Sequence, residues 1–183
     1  MEKLLRQYLN TIYEKTRQGD QTEGSYYSAV EDLFTDFPLE KGRKTKVTNL
    51  PKKTEAGNPD FRVWDGDNFI VGYIEAKNPG TNLDQVETSE QLRRYIHTFP
   101  NVILTDFYEF RLYRDGVHID SATIARYHTA NVLKTKPPLQ NIEDFERLAN
   151  AFFSFKLPKT FTAESLATQL AKRTRFLRDI VFN

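Results

Sequence analysis

The sequence has no cysteine in its 183 residues, so disulfide bonds and thiolate metal sites are excluded. It has no apolar run near the roughly 20 residues that a membrane-spanning helix needs. The N-terminal residues MEKLLRQYLNTIYEK also lack the apolar segment of a signal peptide. These absences predict a cytoplasmic protein with no membrane partner.

The sequence also has no large excess of positive or negative charge. Lysine and arginine number 26 and aspartate and glutamate 25, which leaves a formal net charge of +1. Any binding to nucleic acid must therefore depend on the local distribution of basic residues. The contents of 39% hydrophobic and 28% charged residues are typical of a globular protein, and the length suffices for one domain with appended helices.

The spacing of apolar residues predicts a protein of mixed α and β structure. Helical spacing predicts helices over about residues 2–18, 25–37, 84–97, 142–153 and 163–182. Alternating or continuous apolar runs predict strands over residues 44–50, 59–64, 69–77, 101–106, 108–113 and 117–120. Asp65-Gly66-Asp67-Asn68 predicts a hairpin turn between the second and third strands. A central mixed sheet flanked by helices, an α/β (α+β) fold, accommodates this order.

We expect two regions along the chain. Residues 1–133 form the predicted core, and residues 134–183 form a C-terminal helical connector that begins with the polar, proline-containing spacer Lys134–Pro138. The final predicted helix ends in the apolar sequence FLRDIVFN without a capping residue. We therefore expect further domains downstream of Asn183 in the native protein.

The residues that indicate chemistry lie on the predicted hairpin. Pro59-Asp60 is followed on the return strand by Glu75-Ala76-Lys77. Because side chains alternate along a strand, Glu75 and Lys77 project to the same side. Asp60 lies on the neighbouring strand, where its carboxylate can share a ligand with Glu75. We predict that the three side chains lie within reach of one another.

Two converging carboxylates favour a bound cation, because they would otherwise repel each other. Their hard oxygen atoms suit Mg²⁺, which Mn²⁺ can replace, and the backbone carbonyl of Ala76 is a further candidate ligand. Such an ion acidifies a water molecule and stabilises charge that builds on a phosphate, and the Lys77 ammonium group adds a positive charge beside it. The pattern predicts phosphodiester hydrolysis, with Asp60, Glu75 and Lys77 as the catalytic residues.

The motif by itself is weakly specific, because Pro-Asp followed by Glu-x-Lys arises by chance in many sequences. A solvated charge pair at the strand ends is the simpler interpretation. The context favours function, since Glu75 and Lys77 interrupt a run of residues that otherwise has the composition of a protein core.

Several segments together resemble the PD-(D/E)xK nuclease domains at the N-termini of large single-polypeptide restriction-modification enzymes, of the type ISP or type IIG kind. The segments are TEGSYYSAVEDLF (22–34), GNPDFRVW (57–64), GYIEAKNPG (72–80), EQLRRY (90–95), NVILTDFYEFRLYRDG (101–116) and LATQLAKRTRFLRD (166–179). The resemblance covers nearly the whole chain. It implies a restriction-endonuclease-like fold and a Mg²⁺-dependent endonuclease that cuts double-stranded DNA.

The resemblance also implies roles for further residues. EQLRRY matches the family's Q-x-x-x-Y element, which places Gln91 and Tyr95 near the DNA backbone or the active site. Glu23 matches the glutamate that opens the first family helix and reaches the metal, and Glu31 is the competing candidate. From the residues alone, Gln91 and Tyr95 equally fit an ordinary half-buried helix face, and Glu23 fits a charge near a helix N-terminus.

The resemblance implies partner domains on the same polypeptide. The sequence has no Asn/Asp-Pro-Pro-Tyr methyltransferase motif and no GxxxxGK[ST] phosphate loop. Methyl transfer, target recognition and, in some members, ATP-driven translocation would therefore belong to downstream domains. Two other interpretations stay open: a stand-alone repair nuclease with the same fold, and a nuclease-like module that binds DNA or acts as a scaffold without cutting.

Overall fold

A computed structural model describes residues 1–52, 54, 57–66, 69–156, 167, 170 and 171. The helices are α1 (Glu2–Gln18), α2 (Tyr27–Leu39), α3 (Leu83–Glu87), α4 (Glu90–Thr98), α5 (Tyr127–Asn131) and α6 (Ile142–Phe153). The strands are β1 (Lys46–Asn49), β2 (Phe61–Trp64), β3 (Ile70–Ala76), β4 (Asn101–Thr105), β5 (Glu109–Arg114) and β6 (Val117–Thr123). A short 3₁₀ helix, Glu23–Tyr26, leads into α2.

The six strands form one mixed sheet in the order β1-β2-β3-β4-β5-β6. β3 and β4 are parallel and are connected through α3 and α4, whereas all other neighbouring strands are antiparallel. In the β2–β3 hairpin, the Asp65 N–H donates to the Phe69 carbonyl at 3.0 Å. Gly66 has a φ of 92°, a conformation that favours glycine at this turn. The hairpin places the residues just before β2 beside the end of β3.

Helices cover both faces of the sheet. One face packs against α1, α2 and α6 in the larger hydrophobic core, which includes Leu33, Phe110 and Phe152. The other face packs against α3 and α4, where Leu92 and Leu104 are buried in a smaller core. Each fully buried side chain of this size contributes about 1.5–3 kcal/mol to folding. The predicted α/β architecture, a central mixed sheet flanked by helices, is confirmed.

The predicted end of α2 was wrong, one predicted helix proved to be two, and one helix was missed. α2 does not end before Pro38 but includes it, because the Thr45 hydroxyl donates at 3.2 Å to the Phe34 carbonyl that the proline nitrogen cannot bond. The single helix predicted over residues 84–97 is two helices, because Ser89 accepts a hydrogen bond from the Leu92 N–H and starts α4 as its cap. α5 is too short for apolar periodicity to reveal it.

Some predictions fall outside the described residues. These are the turn residues Asp67 and Asn68 and nearly all of the predicted helix over residues 163–182. The division of the chain between residues 133 and 134 stays a prediction, and α6, which follows it, packs into the larger core. No helix in the described part of the chain is both long enough and apolar enough to span a membrane.

Candidate functional site

Asp60 lies immediately before β2 and is 9% exposed. Its carbonyl accepts a hydrogen bond from the Leu50 N–H at 2.8 Å, which extends the pairing between the β1 and β2 segments to this residue. Its carboxylate is directed toward the end of β3, where Oδ2 accepts the Ala76 N–H at 2.8 Å. This bond fixes the carboxylate against the strand that leads to Lys77.

Glu75, on β3, is almost completely buried, with 2% of its surface exposed. Its Oε1 accepts hydrogen bonds from Lys77 Nζ at 2.6 Å and from Gln91 Nε2 at 2.9 Å. Its Oε2 is buried and has no hydrogen-bond partner among the described residues. Since an unsatisfied buried carboxylate oxygen is costly, this atom indicates a position where a ligand would stabilise the protein.

The pKa values of the site depart from their ordinary range. Burial, and then the charge of Asp60, raise the pKa of Glu75 to about 7, although Lys77 opposes the shift. Burial lowers the pKa of Lys77, but the charge and hydrogen bond of Glu75, together with the charges of Asp60 and Glu23, outweigh it and the pKa rises. Lys77 is therefore protonated at neutral pH, whereas Glu75 is close to half-ionised in the absence of a cation.

Sequence reasoning missed Tyr27, which reaches the site from α2. Its hydroxyl donates to Asp60 Oδ1 at 2.5 Å and also lies 3.0 Å from Glu23 Oε1. Burial and the bond to Asp60 raise the pKa of Tyr27, so the hydroxyl stays a donor. Its ring packs on Phe61 with centroids 4.8 Å apart. Tyr27 thus connects Glu23 with Asp60.

The two residues of the Q-x-x-x-Y element lie on the opposite side of the site. The Gln91 amide donates to Glu75 and lies 3.3 Å from the Tyr95 hydroxyl. Tyr95 is buried and packs against Gly57, where a Cβ atom would lie 3.1 Å from the hydroxyl oxygen. Gly57 has a φ of 122°, so the loop before Asp60 passes close to Tyr95 in a conformation that suits only glycine.

The structure therefore brings most of the predicted site residues together, and their roles stay predictions. The cluster contains Asp60, Glu75, Lys77, Gln91 and, through Tyr27, Glu23. Among the described residues, no hydrogen bond or ion pair joins Glu31 to this cluster, whereas Glu23 is linked to it through Tyr27. Within the same part, no group of three His, Cys, Asp or Glu side chains is arranged to hold a metal ion.

No protein-family model matches the sequence, and no curated protein matches it. Among solved structures, the chain is similar to a protein chain in a cryo-EM structure of a DrdV–DNA complex, with a TM-score of 0.64 and 19% sequence identity. The similarity covers 86% of this chain and 14% of that chain. The chain therefore shares its fold with one part of that protein, in agreement with the predicted restriction-endonuclease-like fold.

Proposed function

We propose that this chain is the nuclease domain of a Mg²⁺-dependent restriction-modification enzyme and that it hydrolyses phosphodiester bonds of double-stranded DNA. The observation that carries the proposal is the buried carboxylate of Glu75, which has one free oxygen and lies in one cluster with Asp60 and Lys77. The DNA in the structure with the similar fold supports DNA as the substrate.

The oxygen donors of the cluster, with the unpaired buried Oε2 of Glu75, suit a divalent cation, although the described side chains would have to move to hold one together. Three carboxylates, those of Glu23, Asp60 and Glu75, face one ammonium group, that of Lys77, so the site has an excess of negative charge. Asp60 and Glu75 would hold the ion together with the Ala76 carbonyl, and Glu23 is a further candidate ligand. The bound ion would supply an electrophile for the phosphate and acidify a water molecule.

The chain's own residues have separate tasks in this reaction. Gln91 and Lys77 hold one oxygen of Glu75, so the other oxygen, which has no partner among the described residues, would be available to the ion. The Tyr27 hydroxyl donates to Oδ1 of Asp60 and so orients that carboxylate. Because the pKa of Lys77 is raised, it acts as a cation that stabilises charge on the phosphate and not as a base. Water adds to phosphorus, the bond to the leaving oxygen breaks, and that oxygen gains a proton.

We also propose that the chain functions within a longer polypeptide with methyltransferase and target-recognition domains. The fold match supports a longer polypeptide, because it covers only 14% of the matched chain, and the two named domains follow from the sequence resemblance. The net charge of +1 supplies little attraction for phosphates, so we expect residues 1–183 alone to bind DNA weakly and to cut it slowly.

The proposal is tested with supercoiled plasmid DNA and purified protein at micromolar concentration. We expect nicked or linear DNA in Mg²⁺ or Mn²⁺ and intact plasmid in EDTA. Equal cleavage in EDTA would contradict the metal requirement. If the longest polypeptide that contains this chain cuts nothing in either metal, the endonuclease assignment is wrong.

Replacing Tyr27 by phenylalanine is expected to slow cleavage by about 10- to 100-fold, because a hydrogen bond to a charged group contributes roughly 1.5–3 kcal/mol. The ring contact with Phe61 is retained, so the fold should be unchanged. Since Tyr27 positions Asp60, the Mg²⁺ concentration for half-maximal rate should rise too. Tyr26→Phe is the matched control, because the Tyr26 hydroxyl contacts Thr16 and not the site. Identical rates and Mg²⁺ requirements for the two variants would refute the positioning role.

A further inference from the structure

Arg62, on β2, is two residues after Asp60, a separation of about 7 Å along a strand. Phe61 and Val63 point into the larger core, so Arg62 points to the opposite face and is half-buried there. In the strand register Arg62 is directly opposite Tyr73. Tyr73 precedes Glu75 by two residues on β3, so both project to one face of the sheet. Arg62 is therefore next to the cluster described above.

Two aromatic rings hold the Arg62 guanidinium group. Its carbon atom is 5.6 Å from the ring centre of Trp64 and 5.7 Å from that of Tyr73. The Trp64 ring is itself fixed, because its indole N–H donates to the Thr48 hydroxyl at 3.0 Å. Contacts of this kind attract a cation and limit its motion without neutralising its charge.

The charge of Arg62 has no counter-ion among the described residues, which form ten ion pairs that do not include it. Its polar neighbours are the Lys52 carbonyl, 3.5 Å from Nη2, and the Tyr73 side chain. Its Nε is buried without any partner in the described part of the chain. A guanidinium has several N–H donors in a planar fork that matches a phosphate. Within the described ranges, Arg62 is thus a pre-oriented cation with most of its N–H donors unused.

Further positive charge lies on the same half of the sheet. Lys46 is opposite Trp64 in the register of β1 and β2, and it is exposed. Lys52, also exposed, follows β1. Neither lysine takes part in the ion pairs of the described residues. We name Arg62, Trp64, Lys46 and Lys52 the cationic strip.

We propose that the cationic strip binds the DNA backbone beside the cleavage site, with Arg62 on a phosphate next to the one that is cut. This inference rests on the proposed nuclease function and assigns a contact that the motif does not include. The reason is charge: Asp60 and Glu75 repel a phosphate until a cation binds, so the chain needs fixed positive groups nearby to bring the strand to them. Arg62 is the half-buried, oriented member of the strip and should contribute most.

The test compares Arg62→Gln with Arg147→Gln, a change of equal charge on an arginine that pairs with Asp120 and Asp144 away from this face. Binding to a fluorescent duplex is measured by anisotropy in EDTA at several low salt concentrations. We expect Arg62→Gln to weaken binding about tenfold and to lower the salt slope by about one, as for one lost phosphate contact. Arg62→Lys, which keeps the charge without the planar fork, should lie in between. Arg147→Gln should match the unmodified protein.

Two results would overturn the inference: equal affinity and salt slope for Arg62→Gln and Arg147→Gln, or no binding by the unmodified protein at micromolar concentration in low salt. If Arg62→Gln fails to fold, as circular dichroism would show, the comparison of Arg62→Lys with Arg147→Gln decides in the same way. A plasmid assay in Mg²⁺ separates this inference from the proposed function. If the unmodified protein cuts plasmid DNA but Arg62→Gln binds DNA as well as it does, only the role of the cationic strip is refuted. If binding depends on Arg62 but no DNA is cut, only the proposed nuclease function is refuted.

Discussion

Lys77→Ala is expected to cut DNA about 100- to 1000-fold more slowly than the unmodified protein, although it should still bind Mg²⁺. The loss follows from the proposed role of the ammonium group, which is held 2.6 Å from Glu75 and would stabilise charge that develops on the phosphate. Metal binding should persist because the two carboxylates remain. Loss of the Lys77 charge also removes a repulsion that opposes the binding of Mg²⁺ by Asp60 and Glu75.

The matched control for this variant is Lys41→Ala, which removes a lysine from an ion pair with Glu146 on the surface. Cleavage rates are measured under single-turnover conditions, and Mg²⁺ binding is measured as the rise in melting temperature with added metal. Lys41→Ala should cut at the unmodified rate. If Lys77→Ala also does so, the lysine of this reaction has been assigned wrongly.

Glu75→Gln is expected to stabilise the metal-free protein at pH 8 but not at pH 4. The folded-state pKa of Glu75 is about 7, above the ordinary value of 4.5, so the folded protein binds this proton more tightly than the unfolded chain does. The contribution of protonated Glu75 to the free energy of unfolding is therefore fully present below about pH 4.5 and is lost as the pH rises through 7. At about 1.4 kcal/mol for each unit of pKa, the loss is of the order of 3 kcal/mol.

This prediction is checked by urea unfolding of both proteins in EDTA between pH 4 and pH 8. The difference in unfolding free energy, variant minus unmodified, should increase with pH and level off near pH 8. Added Mg²⁺ should then stabilise the unmodified protein more than Glu75→Gln, since a ligand that binds only the folded state stabilises it. A difference that is constant with pH would show that Glu75 titrates normally.

The central hairpin was predictable because its determinants are local in sequence. Alternation placed Glu75 and Lys77 on one face, and the Asp-Gly turn placed the residue before β2 beside them. The contact between Asp60 and the Ala76 N–H spans only the hairpin. No tertiary information was needed to bring these groups together.

Tyr27 and Arg62 could not be found in this way. Helical spacing identifies the buried face of α2, but it does not show that the Tyr27 hydroxyl meets Asp60, 33 residues along the chain. Alternation shows that Arg62 is directed away from the larger core. Its two aromatic neighbours, however, lie on different strands, and only the register of β2 with β3 brings Tyr73 opposite Arg62.

The break between α3 and α4 had a signal in the sequence that periodicity concealed. Ser89 follows Thr88 and precedes Glu90, a combination typical of a helix start, and Asn82 caps α3 by accepting the Asp84 N–H at 2.9 Å. Apolar residues continue at helical spacing across the break, so one long helix was predicted. The break matters for the site, because it sets the position of α4 and hence of Gln91.

The assignment of this cluster as the active site is tested by plasmid cleavage in Mg²⁺ by Asp60→Asn, Glu75→Gln and Glu31→Gln. The first two variants remove a carboxylate charge inside the cluster, and the third removes one from α2 outside it. We expect Glu31→Gln to cut normally, and Asp60→Asn and Glu75→Gln to cut at least about 1000-fold more slowly while they still fold and bind DNA. Cleavage by folded Glu75→Gln at the unmodified rate would contradict the assignment of this cluster as the active site.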